Sequence, residues 1–331
     1  MQLLATTPGL YPLPDDAKET LGDLKGHQRG DMIDGEEVKS VQSVYDDVRA
    51  DLIETQTAAG LDRVVEGQAR WDDMLAHPLA VHDAVETGGI VRYYDNNNFY
   101  RDPIVTGELT PDGDMAADLE AAAALTDDLQ AVAPGPYTLA DLASDEHYGD
   151  EDAFLDAVAQ FLTGEVEAFP ETVETLFLLE PSLVASPPGA GADERASEAI
   201  DRVADAIDAP VVVQTYWGAL DERVHAHLLD ADVDAIGYDL ITDHEASIDL
   251  IGEYGTKDDV ALGVVDGQNT LVEDPETIVD RVEWVDQQTP PAQDFETVYL
   301  TANTELFYLP VNRFEEKLDA LATAADRGVS R

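Results

Sequence analysis

Two short runs near the start of the chain concentrate side chains able to bind a ligand: EGQARWDDM, Glu66–Met74, and YYDNNNFYRDP, Tyr93–Pro103. Each is led by a short apolar segment, Leu61–Val65 and Ile90–Tyr94. In a parallel α/β protein that is where strands end and site loops begin. Gln68, Arg70, Asp72 and Asp73 of the first run, and Asp95, Asn96, Asn97, Asn98 and Tyr100 of the second, are therefore candidate substrate-binding residues. The adjacent amides bring paired donors and acceptors with little packing area. An Asn-rich turn between two elements has the same composition, but two such loops in succession favour a ligand site.

Further along, polar or aromatic residues close almost every apolar run. PGPYT (Pro134–Thr138) is a tight turn into a helix start that suits an anion or carboxylate. Glu180, Thr215-Tyr216-Trp217, Asp239, Asp266-Gly267-Gln268-Asn269 and Asn303-Thr304-Glu305 follow the later runs. From these, Glu180, Tyr216, Trp217, Asp239, Gln268 and Asn269 join the substrate-binding set, although Asp239 would equally serve as a cap for the next turn. No residue stands out as catalytic. Metal ligation finds little support: His225 and His227 are one residue apart in a helical stretch and point about 200° away from each other. His244 has only carboxylates for company, and there is no cysteine. That excludes disulfides, thiolate nucleophiles and cysteine-bearing zinc sites. Nucleotide-binding glycine loops are also absent.

These residues need elements to position them. Apolar runs at Gln2–Thr6, Leu61–Val65, Ile90–Tyr94, Leu129–Ala133, Thr175–Leu179, Pro210–Thr215, Ala235–Leu240, Val260–Val265 and Val298–Thr301 read as strands, with amphipathic helices between them. The alternation, without a long linker, predicts a (β/α)8 barrel. Its eight strands are counted after the N-terminal segment, so Ile90–Tyr94 is among them. The chain reads as one domain, 1–331, with a helical extension over about 37–59 packed on the outside. Residues 103–114 read as a hairpin excursion, and 185–192 as a flexible loop.

Acidic residues outnumber basic ones 71 to 18 over 331 positions, a net charge of −53, while 44% of the chain is apolar. That hydrophobicity argues for a folded core beneath a carboxylate-covered surface rather than disorder. Self-repulsion on this scale is tolerable where molar salt shrinks the Debye length to roughly 3 Å, which predicts a salt-adapted, haloarchaeal cytoplasm. Nucleic acid and anionic membrane are poor partners for such a surface. MQLLATTPGLYPLP has neither the basic start nor the apolar core of a signal peptide, and no run approaches a membrane span, so a cytoplasmic protein is expected.

Taken in order, the rim motifs resemble the cobalamin-independent methionine synthases, within the barrel superfamily that includes uroporphyrinogen decarboxylase. The resemblance runs through TTPGLYP (6–12), GQARWDDM (67–74), YYDNNNFY (93–100), GPYTLA (135–140), LEPSLV (179–184), QTYWG (214–218), IGYDLI (236–241), GVVDGQN (263–269) and TANTELFYLP (301–310). It implies a barrel of that superfamily and transfer of a methyl group from a polyglutamylated 5-methyltetrahydrofolate to homocysteine. In the family a C-terminal barrel holds zinc through histidine, glutamate and two cysteines. Here QTYWG stands where a His-x-Cys strand is expected, and Thr304 near a late cysteine. Leu179 and Gln68 stand where acids hold the substrate amino group. The chain is thus similar to the zinc-free N-terminal barrel encoded separately. The resemblance implies no cofactor or metal on this chain and a zinc-bearing methionine synthase barrel as partner. Two other readings stay open: a non-catalytic folate- or amino-acid-binding scaffold, and a corrinoid-linked methyltransferase or decarboxylase.

Overall fold

A computed structural model describes residues 1–22, 39–71, 73, 75–93, 99–290 and 294–328. Eight parallel strands form one curled sheet: β1 (Gln2–Ala5), β2 (Val64–Val65), β5 (Leu129–Pro134), β7 (Val173–Leu179), β8 (Val211–Gln214), β9 (Ala235–Asp239), β10 (Asp259–Val265) and β11 (Thr297–Ala302). Their hydrogen-bonded order is β1-β11-β10-β9-β8-β7-β5-β2, so neighbours in the sheet are neighbours in this series. The two end strands meet where Asp62 and Arg63 N–H donate to the Ala5 carbonyl at 3.0 and 3.3 Å. This is the strand order of a (β/α)8 barrel. Strands such as LQAVAP of β5 and VVVQ of β8 are buried at every position, as parallel strands covered on both faces must be.

Helices cover the sheet. Residues Asp15–Gly22 form α1, Lys39–Ala59 α2, His77–Ala80 α3, Asp114–Ala123 α4, Pro136–Asp141 α5 and Glu151–Glu167 α6. Then come α7 (Ser182–Ala185), α8 (Ala192–Ala204), α9 (Glu222–Asp230), α10 (His244–Tyr254), α11 (Pro275–Gln288) and α12 (Val311–Arg327). Helix α6 shows why they form. Asp150 caps its start by accepting from Ala153 N–H at 2.9 Å, satisfying one of the orphan amides. Phe154, Val158, Phe161, Leu162 and Val166 then lie on one buried stripe, each worth about 2 kcal/mol of burial. Among the described residues no helix is long and apolar enough to cross a membrane.

Two expectations need correction. Ile90–Tyr94 is not a barrel strand: Val85–Arg92 (β3) pairs antiparallel with Phe99–Val105 (β4), and β4 with Ser144–Asp145 (β6), in a separate three-stranded sheet. No position of β3 is buried, whereas barrel strands bury both faces; a segment of this composition suits a ribbon beside the barrel. The excursion expected over 103–114 therefore begins earlier, and Pro103–Val105 is the end of its second strand. The second correction concerns the long early helix. Helix α2 packs against β2 and, laterally, against α4 and α12, and is the crossover of the first βα unit rather than an extension outside the eight. Strand β1 belongs to the barrel accordingly.

Candidate functional site

The chain leaves β1 through TTPGLYP and β2 through EGQARW, and the two loops interlock. Gly9, at φ +79°, lies so close to Gln68 that a Cβ there would meet Oε1 at 2.5 Å. Gln68, itself at φ +49°, accepts from Leu10 N–H through Oε1 at 2.7 Å and donates its own N–H to Glu66 Oε2 at 2.7 Å. Glu66 receives Arg49 Nε at 3.2 Å, and Arg49 and Arg70 share the two oxygens of Asp118 at 2.6 and 3.0 Å. Arg70 also reaches Asp114 at 2.8 Å. Burial first, and Asp118 next, hold the Glu66 carboxyl above its usual range despite Arg49. Gln68 and Arg70 thus fix the second loop against α2 and α4.

Beyond this network Asp73 turns into a buried corner. Its Oδ1 accepts Leu75 N–H (2.8 Å), Ala76 N–H (2.6 Å) and the Tyr93 hydroxyl (2.5 Å). Oδ2 has no hydrogen-bond partner among the described residues, and burial raises the carboxyl. Tyr93 stacks on Tyr100 with ring centroids 4.4 Å apart. Burial, then Asp102, Asp141 and Asp73, push the Tyr100 phenol up to about 12. Tyr308, after β11, has its phenol raised by burial and then by Glu305 and Asp73. Glu305 is buried, with its carboxyl pushed up to about 7 by desolvation, and Gln268 Nε2 donates to it at 3.4 Å.

The loops after β8, β9, β10 and β11 are joined at Asp239. Its Oδ2 accepts Trp217 N–H at 2.9 Å and the Thr242 hydroxyl at 2.6 Å; its Oδ1 accepts Ile241 and Thr242 N–H, both at 2.9 Å. Asn303 Nδ2 lies 3.2 Å from each oxygen, while Asn303 Oδ1 accepts Gly267 N–H at 2.9 Å. Trp217 is thereby held at φ +69°, with its ring edge-on to the buried Tyr216 at 4.8 Å. Such non-glycine positive φ values are uncommon and need outside support.

The structure therefore sorts the expected residues. Asp73 and Tyr100 meet at one corner through Tyr93, and Gln268, which donates to Glu305, follows the Gly267 that Asn303 ties to Asp239. Gln268 and Asn269 are solvent-exposed, their N–H groups folded onto Asp266 Oδ1 at 2.9 and 3.1 Å. Tyr216 is buried beneath Trp217. Glu180 is turned elsewhere: its oxygens accept Tyr137 and Thr138 N–H at 2.9 and 2.8 Å, capping α5, where the Gly-Pro turn was expected to receive an anion. The group it receives is the chain's own carboxyl. Asp72, Asp95, Asn96, Asn97 and Asn98 lie outside the described residues. The site set drawn from sequence omitted Glu305, Asn303, Tyr93 and Tyr308. Glu305 was legible as a strand-end acid, but nothing in its neighbours announced that it is buried.

This arrangement defines a class: a (β/α)8 barrel whose strand C-termini carry a rim of phenols, an indole and desolvated carboxyls. Among the described residues no three His, Asp or Glu converge as a metal-binding set. Residues 82–290, more than half of the chain, match the family described as cobalamin-independent synthase, N-terminal domain, and the chain belongs to that family. It is 24% identical over 299 residues to the methionine synthase of Saccharolobus solfataricus, covering 88% of this chain and 86% of that protein. With the methionine synthase of Sulfurisphaera tokodaii it shares 23% over 279 residues, 83% and 79% of the two chains. A B12-independent methionine synthase from Shewanella sp. W3-18-1, solved in complex with selenomethionine, has the same fold. Its TM-score is 0.80 at 18% identity, over 99% of this chain and 98% of that one.

Proposed function

We propose that this chain acts in methionine biosynthesis as the zinc-free barrel of a split methyltransferase, in a salt-adapted cytoplasm. It holds 5-methyltetrahydrofolate with its glutamate tail while a separate zinc-bearing barrel presents the homocysteine thiol. The observation that carries this reading is membership of the family joined to a rim rich in acids and aromatic rings and without any thiol.

Zinc does not fit the residues present. At the end of β8 the Thr215 hydroxyl donates to the Gly237 carbonyl at 2.7 Å, and after β11 the Thr304 hydroxyl donates to the Glu305 carbonyl at 3.2 Å. Both are neutral oxygen groups already engaged by backbone, where a thiophilic metal would want sulfur or imidazole. No step on this chain passes through a metal.

What the rim residues can do follows from their chemistry. Trp217 and Tyr100 offer faces to a flat pterin ring. A carboxylate such as Asp73 pairs with the adjacent N–H donors on the edge of a 2-amino-4-oxo pteridine. When the methyl group leaves N5 for sulfur, N5 keeps the bonding electron pair and needs a proton. Glu305, with its carboxyl near 7, is partly protonated at neutral pH and suited to supply one.

The test is methyl transfer by the cysteine-containing barrel of the same organism, in molar potassium chloride, with and without this chain. Wild type raises the rate; Glu305→Gln and Trp217→Ala each lower the stimulated kcat at least tenfold, about 1.4 kcal/mol of transition-state stabilisation. Equal activity without this chain, or unaltered rates with both variants, would leave only a scaffold role.

A further inference from the structure

On the outside of the barrel, a groove of about 510 Å³ runs between the start of α10 and the middle of α11. Its volume falls in the range of roughly 300–1,000 Å³ usual for ligand pockets. Leu240 and Ile241, just after β9, form one wall, and the half-buried Trp284 indole forms another. Three polar side chains complete it: His244, which opens α10, and Asp280 and Arg281 on α11. The His244 ring stands edge-on to Trp284, 5.5 Å between centroids. Asp280 and Trp284 are one helical turn apart and share a face, with Arg281 beside them.

Arg281 is fixed in place by the sheet. Strand β10 shifts register between Gly263 and Val265. The Gly263 carbonyl accepts Leu240 N–H on one side, and the Val265 carbonyl accepts Asn303 N–H on the other. The Val264 carbonyl between them accepts Arg281 Nη1. The Nε–Nη2 edge of the guanidinium has no hydrogen bond among the described residues. Arg49, Arg63, Arg70, Arg195, Arg202 and Arg223 each meet an acid at 3.4 Å or closer. The closest acid oxygen to Arg281 among the described residues is Glu273 Oε1, at 3.9 Å. That carboxylate is already engaged by Asp266 N–H at 2.9 Å and Lys317 Nζ at 2.8 Å.

We propose that this groove binds a free α-amino acid with a thioether or branched apolar side chain. A guanidinium edge takes a carboxylate in paired hydrogen bonds, and the His244 ring donates one N–H in either protonation state. Asp280, adjacent to Arg281, accepts the ammonium group. The side chain lies against Leu240, Ile241 and Trp284, whose indole suits both methyl groups and a thioether sulfur. A simple anion is the poorer fit, because Asp280 and the net charge of −53 repel it; a simple cation is opposed by Arg281. The assignment stands apart from the reading of the rim given above. The groove nevertheless backs onto that rim. Ile241 N–H is held by Asp239 Oδ1 at 2.9 Å, and Oδ2 of the same carboxylate holds Trp217 N–H at 2.9 Å.

The experiment is calorimetric titration of the full chain with L-methionine and L-leucine in molar potassium chloride. N-acetyl-L-methionine, which lacks the ammonium, and L-methioninamide, which lacks the carboxylate, serve as controls. The variants are Arg281→Gln, Asp280→Asn and Trp284→Ala in the groove and Trp217→Ala at the rim, each verified as folded by circular dichroism. Wild type is expected to bind both amino acids. Each groove variant, and each blocked analogue, should bind about tenfold more weakly or worse, the loss of one charge-assisted hydrogen bond or of the apolar wall. Trp217→Ala should bind as wild type does. If Arg281→Gln does not fold, Asp280→Asn and Trp284→Ala decide alone. No binding of either amino acid up to its solubility overturns the proposal. So does binding that survives the groove variants and is lost in Trp217→Ala, which would place the amino acid at the rim. N-acetyl-L-methionine binding as tightly as L-methionine would overturn the role of Asp280 and with it the amino-acid assignment.

Discussion

Asp239 ties together the loops after β8, β9, β10 and β11, and replacing it with Asn tests that role with almost no change in shape. The carboxylate accepts three backbone N–H groups, the Thr242 hydroxyl and both contacts from Asn303. An amide keeps one acceptor oxygen. Whichever way it is placed, its NH2 faces donors: Trp217 N–H with Asn303 on one side, or Ile241 and Thr242 N–H on the other. Asn303 cannot answer by flipping, because its Oδ1 already accepts Gly267 N–H at 2.9 Å. Two charge-assisted hydrogen bonds are lost, each worth about 1.5–3 kcal/mol, so Asp239→Asn should destabilise by about 3–6 kcal/mol. The assay is urea denaturation at constant molar salt, with Asn303→Ala and the double variant completing a cycle. The two changes should be strongly non-additive. Where the NH2 takes the Oδ2 side, Trp217 loses the anchor of its N–H and changes its fluorescence, which a Trp217→Phe control assigns. A variant within about 0.5 kcal/mol of wild type, or simple additivity, would show that the rim loops are held by something else.

Four further outcomes are expected. Burial pushes the Glu180 carboxyl up to about 7; a raised carboxyl contributes stability that is full below about pH 4.5 and lost as pH rises through about 7, roughly 3 kcal/mol in all. Glu180→Gln should flatten the stability profile across that window, and an unchanged slope would refute the assignment. His225, lowered to about 4 by burial, works oppositely: its contribution is present above pH 6.5 and lost as pH falls toward 4, so His225→Gln should remove a loss on acidification seen by thermal melting. Lys317, fully buried, donates to Glu273 Oε2 at 2.8 Å and to the Leu271 carbonyl; Lys317→Met should cost about 3–5 kcal/mol by stranding Glu273, with much of it recovered in Lys317→Met/Glu273→Met. Finally, stepwise removal of salt should loosen the fold, since the Debye length grows to about 30 Å at 0.01 M; constant melting down to millimolar salt would contradict that.

Much of the barrel could be read from local pattern. Fully buried parallel strands need continuous apolar runs, and β5, β7, β8, β9, β10 and β11 all announce themselves this way. Helix α6 carries its cap and its apolar stripe in its own sequence. Ile90–Tyr94 misled because a short run of β-branched and aromatic residues, here around Arg92, looks alike in a barrel strand and in a ribbon; only its partner, Phe99–Val105, distinguishes them. Strand β1 and helix α2 were misassigned for the same reason, because membership of a closed ring is decided by pairing and not by composition.

The site divides along the same line. Residue order alone determined that polar and aromatic groups follow the strands, that no thiol is available, and that the motifs belong with one family. Tertiary structure decided which of those groups are tied up by the fold's own N–H groups and which are not. Glu180 and Gln68 are as polar as Glu305, yet one caps α5 and the other locks Leu10, while Glu305 lies buried beside Gln268. The reason is that a buried polar atom must be satisfied, and its satisfying donors come from segments distant in the chain. Spacing within one loop carries no record of which N–H groups the packed neighbours will bring within reach.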